Sequence, residues 1–253
     1  MLTTFKSLLT RAGARLSSRT LLQLQAVVNY LNIGRWMSDR HFDVSRRAKD
    51  KHDVWDAVSK KLCHQQVLYL EFGVAYGESM RYWSRELKHP GTILHGFDSF
   101  EGLPEKGGLW AKGQFSTDGR IPQIDDPRVR FFKGWFNDVL PTYSLPPHKT
   151  LVINMDADLY SSTIYVLRHL RPQIKSGTLI YFDEMNHMEH EPRALDEFMA
   201  ESGLQFRVVC TDKTMAFVFF ECIGMVVEGE PISKGSSSVV VPKGGQFQTT
   251  IEV

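Results

Sequence analysis

Cysteine is scarce in this chain. Its 253 residues hold three, Cys63, Cys210 and Cys222, with no C-x-x-C spacing. That argues against a disulfide framework or a structural zinc site and fits a reducing cytoplasm. Charge of one sign is lacking as well: 30 Lys and Arg face 29 Asp and Glu, for a net +1, so there is no global case for nucleic-acid binding. No apolar run is long enough for a transmembrane segment, and no signal-peptide core with a small-residue cleavage site opens the chain. The dinucleotide fingerprint G-x-G-x-x-G is missing, which disfavours a nicotinamide oxidoreductase. Acid is missing from the first 38 residues, which carry Lys6, Arg11, Arg15, Arg19 and Arg35.

What is present is an ordinary globular composition, 42% hydrophobic and 23% charged, at a length suited to one α/β domain with additions. Three stretches are expected: a helical arm over residues 1–45, a main domain over 46–227, and a tail over 228–253 rich in Gly, Ser and Lys. In the arm, LLQLQAVVNYL has the spacing of an amphipathic helix. Its basic, acid-poor character resembles a transit peptide. The arm is expected to pack on its own domain or on a partner subunit, which would make a homodimer. Contact with a membrane surface is limited by a short apolar face.

The main domain is organised around Val67-Leu68-Tyr69-Leu70-Glu71-Phe72-Gly73-Val74-Ala75-Tyr76-Gly77-Glu78-Ser79. An apolar strand ends in an acid. Two glycines four apart then let the backbone approach a ligand, and a helix begins. Glycines serving turn geometry alone are the simpler reading. Further strands are expected at 92–97, 128–133, 150–155 and 178–182, with helices over 46–62, after Gly77, after Asp158 (capped by Ser161 or Ser162) and from Pro192. A hairpin of 206–210 and 216–220 closes the domain. The repeating β-α pattern predicts a doubly wound, mostly parallel sheet with a C-terminal antiparallel hairpin. Residues 99–127, aperiodic and rich in Gly and Pro, read as a lid with Trp110 and Phe115 as apolar anchors.

In such sheets ligands bind outside the carboxyl ends of the strands. Glu71, Asp98, Asp156, Asp158, Asp183 and Glu184 all fall at such ends. Asp98 lies 27 residues after Glu71, at the end of the neighbouring strand, within reach of a ribose. Six carboxylates gathered in one place repel each other, and a hard cation such as Mg2+ would relieve this. Helix capping or pairing with Lys and Arg is the plainer role for any one of them. His187 and His190 form an H-x-x-H pair that could bind zinc, but in a polar loop they are read as substrate contacts.

The segments LEFGVAYGES, HGFDSFEGLPE, VRFFKGWF, INMDADLYSST and GTLIYFDE resemble the class I S-adenosylmethionine-dependent methyltransferases. Among these, the chain is most similar to the macrocin O-methyltransferase family, which methylates sugar hydroxyls of natural products. The resemblance covers residues 67–184, and loosely to about 221. It implies that Glu71 and the turn from Gly73 through Tyr76 and Gly77 to Ser79 hold the amino-acid portion of S-adenosylmethionine. Asp98 would accept the ribose hydroxyls with Ser99 beside it, and Gly134 and Trp135 would lie near the adenine. Asp156, also beside the cofactor, would bind Mg2+ with Asp183 and Glu184, and Asp158 would be the general base. The chain departs from the family at Glu184, where the family carries a second aspartate. The expected acceptor is a small molecule or a glycan. Catechol-type methylation and a catalytically silent scaffold with this fold are the alternatives.

Overall fold

The apolar runs become strands of one sheet in a computed structural model that describes residues 2–107 and 110–225. The tail expected over 228–253, with its VVV run, lies outside the described residues. The chain divides into two units, one reaching from the N-terminus to His41 and one spanning Phe42–Val226. In the first, helix α1 (Leu2–Gly13) is followed by α2 (Ser18–Asp39). Ser17 caps α2 by accepting a hydrogen bond from the Thr20 amide at 3.1 Å. The arm therefore has two helices where the periodicity predicts one.

The second unit opens with a short strand, β1 (Arg47–Ala48), and helix α3 (Lys51–Leu62). The helix expected from residue 46 starts later because Asp50 caps it, accepting from the amides of His52 and Asp53. Then come β2 (Val67–Phe72), α4 (Glu78–Glu86), β3 (Ile93–Asp98) and β4 (Val129–Lys133). A four-residue helix, α5 (Phe136–Val139), runs into a 3-10 turn at Leu140–Thr142, and neither has a periodicity to betray it. The chain continues through β5 (Thr150–Met155), α6 (Tyr160–Leu170), β6 (Leu179–Phe182), α7 (Glu191–Ser202), β7 (Leu204–Asp212) and β8 (Val218–Met225). Helix α7 has proline in its first turn and ends on left-handed Gly203, the two residues best suited to those positions.

The sheet order is β1-β7-β8-β6-β5-β2-β3-β4. The pairs β2–β3, β3–β4, β2–β5 and β5–β6 are parallel, as is β1–β7, while β8 runs antiparallel to both β6 and β7. The expected doubly wound sheet and closing hairpin are both present. The order reverses at β2: the chain builds outward through β3 and β4, then returns to β5 on the other side. This switch point opens a crevice at the carboxyl ends of the strands.

Both faces of the sheet are buried. On one, Trp55 and Val58 of α3 and Met80 and Trp83 of α4 pack with Tyr69, Val152, Tyr181 and Phe219. On the other, Phe72, Phe97 and Phe132 form a stacked ladder across β2, β3 and β4, with ring centroids 5.0 and 4.9 Å apart. His95 lies two residues from Phe97, on the same face. Its Nδ1 is 2.7 Å from the Tyr143 hydroxyl, and burial with the nearby Arg130 charge pushes its pKa down to about 4.

That shift has a defined consequence. A histidine whose folded pKa lies below its unfolded value of about 6.5 leaves the unfolded chain binding more protons between those pH values. Stability from this group is therefore lost as pH falls from about 6.5 towards 4. In urea unfolding the wild type is expected to lose up to about 3 kcal/mol relative to His95→Gln across that window. Parallel curves for the two proteins would refute the assignment. Substitution at Gly73 is expected to be severe, because a Cβ there would lie 1.8 Å from the Asp156 carbonyl oxygen at a φ of +91°. The unfolding free energy of Gly73→Ala should be lower by more than about 2 kcal/mol, read from urea unfolding.

Candidate functional site

Strand register assembles the site. Phe72 is level with Phe97 on one side and Met155 on the other, and Met155 is level with Phe182. The next residues, Gly73, Asp98, Asp156 and Asp183, therefore emerge along one edge. Backbone bonds fix them there: Gly73 N donates to Phe97 O, Asp156 N to Phe72 O, Asp183 N to Met155 O and Gly134 N to Asp98 O. The crevice they border is a cavity of about 870 Å3, at the upper end of small-molecule sites.

Gly73, Asp98, Ser99, Gly134 and Trp135 line this cavity. Asp98 Oδ2 accepts from the amides of Val74 and Ala75, both at 2.8 Å, and Oδ1 from Phe100 N at 2.6 Å. The acid thus shapes the glycine turn while remaining on the cavity wall. The segment after β3 and helix α6 also line the cavity, with Leu103, Gln114, Phe115, Ser161 and Tyr165. The lid folds back on itself through Leu103–Gln114 and Phe100–Thr117 backbone bonds, and Glu105 ties it to α6 by accepting from Ser161 Oγ at 2.6 Å. Ser161 is therefore a tether and not the helix cap; Leu159 holds the cap position without a side-chain bond.

Asp156, Asp158, Asp183 and Glu184 line the same cavity. Burial, together with the charges of its neighbours, raises each of them. Asp158 is pushed up to about 7 by burial and by Asp183 and Asp98, and Glu184 to about 7 by burial and by Asp183 and Asp158. Asp156 rises furthest, through burial and the charges of Asp183, Asp158, Glu191 and Glu71. Asp183 is raised by burial, partly offset by the Tyr181 hydroxyl at 2.6 Å and the Lys51 charge. Asp158 also sits at φ +58°, and Ala75 and Phe100 have positive φ too. Strained backbone of this kind persists where surrounding structure holds it, and it gathers at functional sites.

Several predicted residues lie elsewhere. The Glu71 side chain is fully buried beneath the turn and does not reach the cavity wall. It accepts from Ser79 Oγ at 2.6 Å and from the Tyr69 hydroxyl at 2.8 Å, while Asn154 donates to that hydroxyl. Burial raises it to about 7 despite these bonds. Ser79 thus belongs to the network beneath the turn. Gly77 caps α4 in a left-handed conformation. Tyr76 is 71% exposed and borders a separate small hollow with Arg81 and Pro122. His187 and His190 stand off the main cavity, each with its ring centroid 5.4 Å from Trp110 of the lid. Among the described residues, no three His, Cys, Asp or Glu side chains converge as a metal-ligand set.

Two residues escape a reading of strand ends. Lys51, at the start of α3, lines the cavity and reaches Glu78 at 2.7 Å. Burial opposes its charge, but Glu78, Asp183 and Asp156 hold its pKa above the ordinary value. Glu191, in the first turn of α7, is wholly buried and accepts from the Glu184 amide at 2.9 Å. Its other oxygen has no hydrogen-bond partner, and burial raises its pKa well above the ordinary range. In sequence Lys51 is one of two lysines, with Lys49, around a helix start, and Glu191 is one of two acids, with Glu189, beside two histidines.

The geometry agrees with what the chain is similar to. Demethyldecarbamoylnovobiocin O-methyltransferase of Streptomyces niveus is 34% identical over 134 residues, 46% of this chain and 50% of that protein. The 8-demethyl-8-(2,3-dimethoxy-alpha-L-rhamnosyl)-tetracenomycin-C 4'-O-methyltransferase of Streptomyces olivaceus is 33% identical over 109 residues, 34% of this chain and 40% of that protein. The chain thus spans half or less of the length of these curated relatives. The crystal structure of CalS11, a calicheamicin methyltransferase, superposes with a TM-score of 0.53 at 20% identity over 68% of this chain and 80% of the other, a likeness of fold. The sequence profile of the macrocin-O-methyltransferase (TylF) family matches residues 69–220, the stretch from β2 into β8 that builds the crevice, and the chain belongs to that family.

Proposed function

We propose that the chain is an S-adenosylmethionine-dependent O-methyltransferase acting on a hydroxyl of a sugar borne by a small molecule. The observation that carries this reading is the row of carboxylates on one large cavity at the switch point of the sheet. Family membership supports the methyl transfer. The sugar acceptor rests on relatives such as the one named for a rhamnosyl tetracenomycin.

In this reading Gly73 and the turn after it take the amino-acid end of the cofactor through backbone groups, with Glu71 and Ser79 bracing the turn from below. Asp98 takes the ribose hydroxyls, and Gly134 and Trp135 border the adenine. The acceptor enters from the lid side, past Phe115 and Tyr165. A sugar hydroxyl is a weak nucleophile at neutral pH. Asp158, made more basic by burial and by neighbouring acids, receives its proton as the oxygen attacks the methyl carbon. The carbon–sulfur bond breaks as the carbon–oxygen bond forms, and S-adenosylhomocysteine leaves with the sulfur electron pair. Alignment of oxygen, carbon and sulfur is supplied by holding both reactants in one crevice.

Asp156, Asp183 and Glu184 are hard oxygen donors of the kind Mg2+ takes and they line one cavity, although they do not converge as a ligand set among the described residues. Bound there, the ion would supply Lewis acidity towards the acceptor hydroxyl. The chain's own cation at this place, Lys51, lies towards Glu78 and Asp183.

Calorimetric titration with S-adenosylhomocysteine tests the reading. Binding with a Kd of about micromolar order is expected, weakened at least about tenfold in Asp98→Ala, which loses a charge-assisted pair of hydrogen bonds. Asp158→Asn is expected to retain that binding while turnover on glycosylated acceptors falls by about two to four orders of magnitude. Absence of binding by the wild type would overturn the proposal and favour the silent scaffold, and near-normal turnover of Asp158→Asn would remove that residue from the role of base. Mg2+ is expected to raise the melting temperature of the wild type and to leave that of Asp183→Asn unchanged. Equal response of the two proteins would assign the metal elsewhere.

A further inference from the structure

The N-terminal unit poses a question that methyl transfer does not answer. On α1, Phe5, Leu8, Leu9 and Ala12 fall within one third of the helix circumference, and Phe5, Leu8 and Leu9 are 56%, 63% and 54% exposed. Lys6 and Arg11 flank that stripe, one on each side. On α2, Leu21, Leu22, Leu24, Val27, Val28, Tyr30 and Leu31 are all exposed, Leu31 by 69%, and they lie around the helix and not on one face. The stripe of α1 and the apolar surface of α2 together present more to solvent than a soluble surface ordinarily leaves uncovered. Neither helix spans a bilayer, since no described helix is long and apolar enough to do so.

Charge decides what could cover them. Arg11, Arg15 and Arg19, grouped around the α1–α2 turn, are exposed and have no ion-pair partner among the described residues. The first acid in the chain is Asp39, which pairs with Arg35. A second copy of the arm would bring the same three arginines, and its Asp39 already pairs with Arg35. An anionic lipid surface offers what both features require, phosphates for the guanidinium groups and an acyl boundary for the leucines and valines.

We propose that the N-terminal arm is a peripheral membrane-docking element, each helix lying in the interface of an anionic bilayer with Arg11, Arg15 and Arg19 at the headgroup phosphates. The inference is independent of the chemistry in the crevice. It would place the protein beside acceptors that are themselves held at a membrane.

The test is co-sedimentation of the full chain with vesicles of equal parts phosphatidylcholine and phosphatidylglycerol, against vesicles of phosphatidylcholine alone. Partitioning is expected to be at least about tenfold stronger with phosphatidylglycerol and to fall as salt rises from about 0.1 M to about 1 M, which shortens the screening length from about 10 Å to about 3 Å. The double variants Arg11→Glu/Arg15→Glu and Leu8→Glu/Val28→Glu should each lose most of the bound fraction. Their circular dichroism and S-adenosylhomocysteine affinity should remain those of the wild type. Equal partitioning into both vesicle types, or none into either, would overturn the proposal. So would a stable dimer in solution that Leu8→Glu/Val28→Glu converts to a monomer, since these apolar surfaces would then face a second copy.

Discussion

The functional crevice depends on one close approach, that of the Gly73 Cα to the Asp156 carbonyl. The ends of β2 and β5 come so near that no side chain fits between them. Because β2 pairs with both β3 and β5, the same contact sets the level at which Asp98 and Asp156 leave the sheet. Asp183 follows through the β5–β6 register. The turn after Gly73 is then held by the Asp98 carboxylate from outside and by Glu71, Ser79 and Tyr69 from beneath. Geometry of this kind comes from the rigid sheet and not from loops, which is how positions are fixed finely enough for chemistry.

Much of this is legible in the sequence. Apolar runs ending in acids, spaced by helical segments, locate the strands and their carboxyl ends to within a residue or two. Gly73 and Gly77 announce a turn against a ligand site. The acids of DADLY and YFDE meet on one cavity, as their place at strand ends requires. Two kinds of feature do not show. One is short structure without periodicity, such as β1 and α5, whose existence depends on β7 and on the end of β4. The other is the direction of a side chain. Glu71 lies one residue before the end of β2, level with Gly96, while Asp98 ends β3 two residues further along on the same face; Glu71 is therefore taken up by Tyr69 and Ser79 beneath the turn, and Asp98 reaches the cavity. Lys51 and Glu191 sit at helix starts, where an acid such as Glu191 reads first as a complement to the helix dipole and a lysine as a solvated charge.

The acids also explain why the site needs what surrounds it. Asp156, Asp158, Asp183, Glu184 and Glu191 are all raised by burial, and all but Asp183 also by the charges of others in the group. A carboxyl group whose folded pKa exceeds its unfolded value leaves the native state short of stability above that pKa. Near neutral pH the cluster therefore works against folding. The Tyr69–Phe219–Trp83 core and the aromatic ladder on the other face of the sheet offset that cost.

Such a cluster discriminates between ligands by charge. S-Adenosylmethionine carries a sulfonium beside its ammonium, and S-adenosylhomocysteine has lost the sulfonium charge. In a partly buried crevice, where the effective dielectric constant is well below that of water, one positive charge among several carboxylates gains far more than it would in solvent. The same acids that strain the empty fold would therefore favour the methyl donor over the spent product. In the proposed reaction, proton transfer to Asp158 would remove one more negative charge from beside the sulfur. Under the proposed function, substrate retention and product release follow from one electrostatic feature, set in place by the level at which β2, β3, β5 and β6 end.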